Sequence, residues 1–256
     1  MRILMVGDVI GRPGRQAMAA LLPELRHKHE IDMVIANGEN AAGGLGLTPT
    51  TAEEFFQAGV DIITSGNHIW HHKEIIPLLE ADSRILRPLN MPPGVPGYGY
   101  VITDQAMIVS LLGRVFLGHF DCPFRAMDHL LEDVNPKPPV ILVDFHAEAT
   151  AEKIALGWYL DGRVSAVLGT HTHVGTIDTR VLPRGTAFVS DVGMVGAADS
   201  VIGDDIDSVI KRFLTLMPHR LSVGKGNTTF NSVLVEVDDG SGKALNINRL
   251  DLELSK

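Results

Sequence analysis

The sequence predicts an α/β fold in which two β-sheets pack as a sandwich. Short β-branched runs alternate with helical segments in the first half, closely spaced strands interrupt this alternation near the middle, and further strands follow later in the chain. The 256 residues suit one large domain, because α/β folds commonly reach about 250 residues as a single unit. With 45% hydrophobic and 21% charged residues the composition is that of an ordinary globular chain, so we expect a single domain over residues 1–256.

The first half of the chain has the pattern β-α-β-α-β-α. Three continuous apolar runs predict strands that are buried on both faces, at residues 3–6, 33–36 and 60–64. Helical patterns cover residues 16–28, 50–58 and 69–79. Pro23 lies inside the first helix and predicts a kink. Thr50 is a plausible cap for the second helix, with Glu53 three residues later.

The second half begins with a change of pattern. A segment rich in proline and glycine, residues 87–99, precedes three short runs that predict an antiparallel meander, at residues 100–102, 106–112 and 115–117. The alternation then resumes with a strand at 140–144, a helix at 151–159 and a strand at 164–168. Further strands are predicted at residues 187–190, 228–237 and 244–254.

Charge and cysteine content limit the classes of function. The net charge of −9 and a pI near 5.6 argue against a broad binding surface for duplex nucleic acid or for an anionic membrane. Cys122 is the single cysteine, which excludes an intramolecular disulfide. The N-terminal apolar run is too short for a secretory signal, and no run approaches the ~18 apolar residues of a membrane span. We therefore expect a cytoplasmic protein without a membrane partner.

Polar side chains of metal-binding types stand where five of the predicted strands end. They are Asp8; Glu39 and Asn40; Asn67 and His68; His146; and His171 and His173. Ligands of α/β sheets collect at that edge, and a mixed carboxylate, amide and imidazole set suits Mn, Fe or Zn better than Ca. A single Gly-Asp or Gly-Asn pair is more often only a turn, but five such strand ends together favour a site. The set offers two carboxylates, two amides and three or four imidazoles, which is too many for one ordinary site and suits two metals about 3.5 to 4 Å apart.

This ordered set resembles the signature of the calcineurin-like metallophosphoesterase family. Three longer motifs resemble its bacterial YmdB-type branch: Gly-Asp-Val-Ile-Gly-Arg-Pro-Gly at 7–14, Asn-Gly-Glu-Asn-Ala-Ala-Gly-Gly at 37–44, and Asp-Val-Gly-Met at 191–194. The resemblance covers nearly the whole chain. It implies a four-layer αββα sandwich of two mixed sheets and a binuclear iron or manganese site, with zinc able to use the same ligands. It also implies phosphodiesterase activity on cyclic nucleotides, with 2′,3′-cyclic AMP as the characteristic substrate.

The chain departs from the general superfamily pattern at three positions. Ile10 stands where most members have a histidine two residues after the first aspartate, and Glu39 stands where most members bridge the metals with an aspartate. Ile69 replaces the usual acid after Asn-His. These departures match the YmdB-type branch, and they weaken any transfer of substrate from other phosphoesterases.

The resemblance also implies a role for each site residue. One metal is assigned to Asp8, Glu39, Asn40 and His173. The other metal is assigned to Glu39, Asn67, His146 and His171, so that Glu39 bridges the two. A hydroxide held between the metals is expected to attack phosphorus opposite the leaving ribose oxygen. His68 is left over from the ligand count and is the candidate general acid that protonates this oxygen.

Two alternatives from other functional classes stay open at this point. The first is a metal-containing nucleotide-sensing or RNA-associated regulator with little turnover, which the intact ligand set disfavours. The second is a dinucleotide-binding oxidoreductase, but Val9 occupies the position of the middle glycine in that fingerprint. Arg12 is either a phosphate contact or a surface arginine, and Asp191 either lines the cleft or closes a turn.

The expected partner is a small cyclic-nucleotide or phosphodiester substrate. No partner among duplex nucleic acids is expected from the charge. Homo-oligomers are common among such enzymes, so an assembly of several copies stays open.

Overall fold

The computed structural model describes residues 1–255 and contains two mixed β-sheets. In chain order the strands are β1 (Arg2–Val9), β2 (Met33–Asn37), β3 (Ile62–Thr64), β4 (Tyr100–Ile102), β5 (Met107–Leu112), β6 (Ile141–His146), β7 (Ala166–Thr170), β8 (Arg180–Val181), β9 (Ala187–Val189), β10 (Met194–Ala197), β11 (Thr228–Phe230), β12 (Ser232–Val237), β13 (Ala244–Arg249) and β14 (Leu252–Leu254). The helices are α1 (Gly11–Lys28), α2 (Pro49–Gln57), α3 (Ile76–Ala81), α4 (Pro123–Asp133), α5 (Thr150–Leu160) and α6 (Ile206–Thr215), with a short 3-10 helix at Lys73–Ile75.

The first sheet is organised around β1. On one side β1 runs parallel to β2, and β2 runs parallel to β3. The other side of β1 pairs antiparallel with β12 along most of its length and parallel with β10 at Asp8 and Val9. Strand β13 extends this sheet beyond β12, and β11 and β14 extend it beyond β10.

The second sheet has the order β4-β5-β6-β7-β9-β8. Strands β5, β6, β7 and β9 are parallel, and β4 and β8 are antiparallel to their neighbours at the two edges. The parallel strands of each sheet therefore bring their carboxyl ends to one edge, where the loops that follow them meet.

Three hydrophobic cores separate four layers of secondary structure. Alternate residues of β1 face opposite sides, so Leu4 packs in a core with Met18 of α1, while Ile3 packs in a core shared with Leu142 of the second sheet. A third core joins the outer face of the second sheet to α4 and α5, with Leu156 among its members. This αββα order confirms the predicted fold class.

The cap of helix α2 lies two residues before the predicted cap. The cap is Thr48, whose hydroxyl accepts from Thr51 N at 3.2 Å while Thr51 Oγ1 accepts from Thr48 N at 2.9 Å. The prediction of a cap at Thr50 with Glu53 was wrong. The physical reason is Pro49, whose fixed φ and missing N–H favour the first position of the helix.

Two other predicted elements were wrong. The helix expected at 69–79 is reduced to the 3-10 helix and α3. The reason is Pro77, since a proline fits the first turn of a helix but interrupts a helix that runs through it. The strand expected at 115–117 is a turn, in which Leu117 N donates to Arg114 O at 3.3 Å. Pro23 lies inside α1, and its kink stays a prediction.

The two long strands predicted near the C-terminus are each divided. Asn231 interrupts the first, where the chain leaves its pairing with β10 and begins its pairing with β1 as β12. Leu250 and Asp251 divide the second into β13 and β14.

Four elements were not predicted from the sequence: β8, β10, α4 and α6. Helix α4 carried a usable signal, because Met127, Leu130 and Leu131 follow its initial proline at helical spacing.

Thr48→Ala is expected to lower the free energy of unfolding by about 0.5–2 kcal/mol, the usual cost of removing a threonine cap. Chemical denaturation measures the change. Thr50→Ala is the matched control, because Thr50 is exposed within the first turn of α2 and alanine favours a helix. Equal loss in the two variants would contradict the cap at Thr48.

Candidate metal centre

The predicted site residues meet at the carboxyl edge of the parallel strands, between the two sheets. The first sheet supplies Asp8 from β1, Glu39 and Asn40 after β2, and Asn67 and His68 after β3. The second sheet supplies His146 from the end of β6, and His171 and His173 after β7. Sequence position thus placed all eight residues at one edge, and the contacts among them define the site.

Glu39, His146 and His171 form the centre of this cluster. His146 Nε2 lies 2.9 Å from Glu39 Oε1 and 2.9 Å from His171 Nδ1. Each of the three residues offers one ligand atom within 4.8 Å of the others. A carboxylate and two imidazoles at this spacing match the donor set of a borderline divalent cation.

Asp8 stands beside this group with one carboxylate oxygen unused. Its Oδ2 accepts from His171 N at 3.0 Å, whereas the buried Oδ1 has no hydrogen-bond partner. Asp8 Oδ1 lies 3.8 Å from His146 Nδ1 and 3.8 Å from His173 Nε2. Burial raises the pKa of Asp8 to about 6, against the opposing effect of the two histidines.

His173 and Asn40 extend the cluster on the other side. His173 Nε2 lies 3.1 Å from Asn40 Nδ2, and His173 Nδ1 lies 2.8 Å from Ile202 O. With Nδ1 facing a carbonyl oxygen, a neutral His173 has its proton there and its Nε2 free to bind a metal. Asn40 turns its amide nitrogen toward His173, so its side-chain amide must rotate before Oδ1 can bind a metal.

The His-x-His segment separates its two imidazoles. His171 and His173 both have positive φ, 101° and 64°, a conformation that costs free energy in non-glycine residues. Because of this backbone path, His171 contacts His146 while His173 faces Asn40. These separate contacts are consistent with the assignment of His171 and His173 to different metals.

Asn67 also carries a buried oxygen without a partner. Its Oδ1 makes no hydrogen bond, and its Nδ2 lies 3.2 Å from His68 Nε2. The backbone of the next residue ties this loop to the centre, since His68 N donates to Glu39 Oε2 at 3.1 Å. Burial lowers the pKa of His68, although the nearby Glu39 carboxylate acts against this.

Electrostatics couple Glu39 strongly to His146. Burial by itself would raise the pKa of Glu39, but the charge and hydrogen bond of His146 outweigh it and hold this pKa at about 2. Burial likewise opposes the charged form of His146, yet Glu39 raises the pKa of His146 to about 9. A proton therefore joins these two groups when no cation is bound, and a cation that binds there must displace it.

A polar network behind His146 fixes its orientation. His146 Nδ1 lies 2.9 Å from Thr170 Oγ1, which donates to Asp144 Oδ1 at 2.7 Å. Asn37 Nδ2 donates to Asp144 Oδ2 at 3.0 Å. Since the Thr170 hydroxyl gives its hydrogen to Asp144, it accepts from His146 Nδ1–H, which directs Nε2 into the site. This network was not predicted from the sequence, although an aspartate within the apolar strand β6 was a signal for it.

Glu148 plays the corresponding part for His171. Glu148 Oε2 lies 3.1 Å from His171 Nε2. Burial, together with the charge of His146, lowers the pKa of His171 to about 3, so His171 is neutral. Its single ring proton then belongs on Nε2 facing Glu148, which leaves Nδ1 to bind a metal.

Glycine is required at the centre of the site. A Cβ added at Gly66 would overlap the His146 ring and Glu39 Oε2. Any side chain at this position would therefore push apart the carboxylate and imidazole that form the centre.

Asp191 and Arg12 do not join the cluster. Asp191 is buried, forms an ion pair with Lys153 Nζ at 2.6 Å and accepts from Thr172 N at 3.0 Å. It thereby holds the His-x-His loop rather than lining the cleft. Arg12 is exposed on α1.

The donor set fits metal ions. Within residues 1–255, three buried side-chain polar atoms lack a hydrogen-bond partner, and two of them are Asp8 Oδ1 and Asn67 Oδ1. An unpaired buried oxygen is unfavourable unless a ligand completes it. Both atoms belong to residues that the sequence assigned to metals, and cations bound at this edge would satisfy them.

Comparison with known proteins shows the family. A model of the YmdB-like protein family matches residues 4–250, and the chain belongs to this family. The curated 2′,3′-cyclic-nucleotide 2′-phosphodiesterase of Bacillus subtilis strain 168 is 47% identical to it over 98% of this chain and 96% of that protein. The resemblance inferred from the motifs is thus confirmed.

Two solved structures share the fold. A hypothetical protein from Thermus thermophilus superposes with a TM-score of 0.93 at 43% identity, covering 99% of this chain and 100% of that one. A phosphatase from Mycoplasma pneumoniae gives a TM-score of 0.93 at 32% identity, covering 100% and 94% of the two chains.

Among residues 1–255, none of the helices combines the length and apolar character that crossing a bilayer requires.

Glu148→Gln is expected to weaken metal binding about 10- to 100-fold, because an amide holds the His171 ring less firmly than a carboxylate does. Metal titration followed by elemental analysis measures the affinity. Glu148 is 47% exposed, so the variant should fold normally. Glu132→Gln, an exposed glutamate on α4, is the control, and equal affinity in both variants would contradict a role for Glu148.

Proposed function

We propose that this protein is a metal-dependent phosphodiesterase that hydrolyses 2′,3′-cyclic nucleotides, with 2′,3′-cyclic AMP as its substrate. The observation that carries this proposal is the convergence of Glu39, His146 and His171 beside the two unpaired oxygens of Asp8 and Asn67. The substrate class comes from the relative in Bacillus subtilis, whose name specifies it.

We assign the ligands to two groups that share Glu39. The first group consists of Asp8, Glu39, Asn40 and His173. The second group consists of Glu39, Asn67, His146 and His171. Iron or manganese is the proposed occupant of both positions, and zinc shares the same ligand preferences.

Two cations at this edge would lower the pKa of a bound water to supply a hydroxide, and would neutralise charge on the phosphoryl oxygens. The chain's own contribution is to hold the donors in place. Asp144 and Thr170 fix His146 from behind, and Asp191 fixes the loop that carries His171 and His173. The positive charge of bound cations would allow a chain of net charge −9 to accept an anionic substrate.

His68 is proposed as the proton donor to the leaving ribose oxygen. Hydrolysis adds water to phosphorus and breaks its bond to the 2′ oxygen, which must take up a proton, and the product keeps a 3′ phosphate. His68 is half-buried at the edge of the cluster, with its backbone fixed by Glu39. Burial lowers the pKa of His68, so a smaller fraction of the ring is protonated near neutral pH, but the protonated ring gives up its proton more readily than an exposed histidine does.

Wild-type protein loaded with manganese is expected to hydrolyse 2′,3′-cyclic AMP faster than 3′,5′-cyclic AMP or bis(p-nitrophenyl) phosphate. Glu39→Ala is expected to abolish turnover of all three, because Glu39 belongs to both groups of ligands. Chromatography of the products measures the rates and identifies the bond that breaks.

Two results decide against parts of the proposal. Turnover that survives in Glu39→Ala would separate the activity from this site. A wild-type protein that retains two metals and binds 2′,3′-cyclic AMP without hydrolysing it would favour a nucleotide sensor instead.

His68→Ala is expected to retain its metals and to lose about 10²- to 10⁴-fold in kcat, the usual contribution of a general acid. Elemental analysis and steady-state kinetics measure the two quantities. His27→Ala, which removes an exposed histidine on α1, is the control. Loss of metal from His68→Ala would instead make His68 a ligand.

A further inference from the structure

The loop that follows β5 begins directly beside the metal centre. Leu112, the last residue of β5, pairs with His146, and Gly113 N donates to His146 O at 2.9 Å. Phe116 follows three residues later, so its Cα lies within about 10–11 Å of the Gly113 Cα. The loop therefore starts next to a metal ligand and continues beyond the edge of the sheet.

Side chains from two other elements hold this loop. Glu152 in the first turn of α5 accepts from Arg114 N at 3.0 Å and from Val115 N at 3.1 Å. Asn90 Nδ2 donates to Leu112 O and to Asp121 O, each at 2.8 Å, and so ties the two ends of the loop together. The backbone of the loop is thus anchored at its start and at its end.

Phe116 has two features that do not help this protein to fold. Its φ is 66°, in the left-handed region that suits glycine or asparagine in a turn and is unfavourable for a bulky side chain. Its side chain is also 88% exposed, and it belongs to none of the three cores. A costly conformation that presents an apolar ring to solvent, on a loop that begins beside a proposed metal ligand, indicates a role in binding.

We propose that Phe116 is the platform on which the base of the nucleotide substrate stacks. This inference rests on the proposed function and concerns recognition of the substrate rather than the reaction. When the phosphate of a nucleotide lies at the metal ligands, its ribose and base extend away from them toward solvent. An anchored loop that starts at the same edge can place a ring against that base, and stacking accepts any base because each has a π-face.

The proposed role predicts a selective loss. Phe116→Ala should lower kcat/KM for 2′,3′-cyclic AMP by about 5- to 150-fold, which corresponds to the usual value of one stacked base. The same variant should leave kcat/KM unchanged for methyl ribofuranoside 2,3-cyclic phosphate, which has the same reacting group and no base. Phe116→Tyr should keep the wild-type preference, because it keeps the ring.

Binding of the product gives a second readout. In calorimetric titrations of manganese-loaded protein, Phe116→Ala should raise the Kd for 3′-AMP by a similar factor. Phe213→Ala, which removes another exposed phenylalanine on α6, is the control and should change neither quantity.

The outcomes separate this proposal from the proposed function. If the wild type hydrolyses neither cyclic phosphate, the proposed function fails. If the wild type hydrolyses both and Phe116→Ala loses nothing, or loses equally on both, stacking is overturned while the enzyme assignment stands. If Phe116→Ala changes the sedimentation of the protein and not its base preference, the ring is a contact between copies, which also overturns stacking.

Discussion

The contact between Glu39 and His146 is the constraint on which the site depends. It joins a carboxylate after β2 in the first sheet to an imidazole at the end of β6 in the second, with both side chains completely buried. The two sheets must therefore close to within hydrogen-bond distance at this edge. Glycine at position 66 is a consequence, since no side chain fits beside this contact. The core between the sheets keeps them at that separation along their length.

A buried charged pair is a weak source of stability, because each ion gives up its hydration. The surroundings of Glu39 and His146 indicate what the pair is for. Asp144 and Thr170 orient His146 from behind, while Asp8 and Asn67 leave oxygens without partners in front. This arrangement leaves two buried oxygens without hydrogen-bond partners, and a bound cation would satisfy them. A bound cation would replace the proton between Glu39 and His146. Its bonds to both groups would offset the free energy that they lose when they are buried away from water.

The sequence predicted which residues meet at this edge of the sheets, because backbone topology alone places them there. Asp8 and His146 each end a parallel strand, and the carboxyl ends of parallel strands share an edge. The supporting residues depend on side-chain direction, which periodicity does not encode. Glu148 and Thr170 are therefore visible only in the structure. Predicted element boundaries were wrong for a similar reason. The start of α2 is set by the fixed φ of Pro49, which the pattern of apolar residues does not record.

The proposed role of Phe116 separates the residues that recognise the substrate from those that hold the reacting centre. The proposed metal ligands lie at the ends of buried strands, so a change there disturbs the packing of both sheets. The loop that carries Phe116 is held by Glu152 and Asn90 through backbone atoms, and its own ring takes no part in a core. A different residue at position 116 would alter what the loop presents without altering what holds it. Substrate preference can thus change in this fold while the reacting centre stays the same.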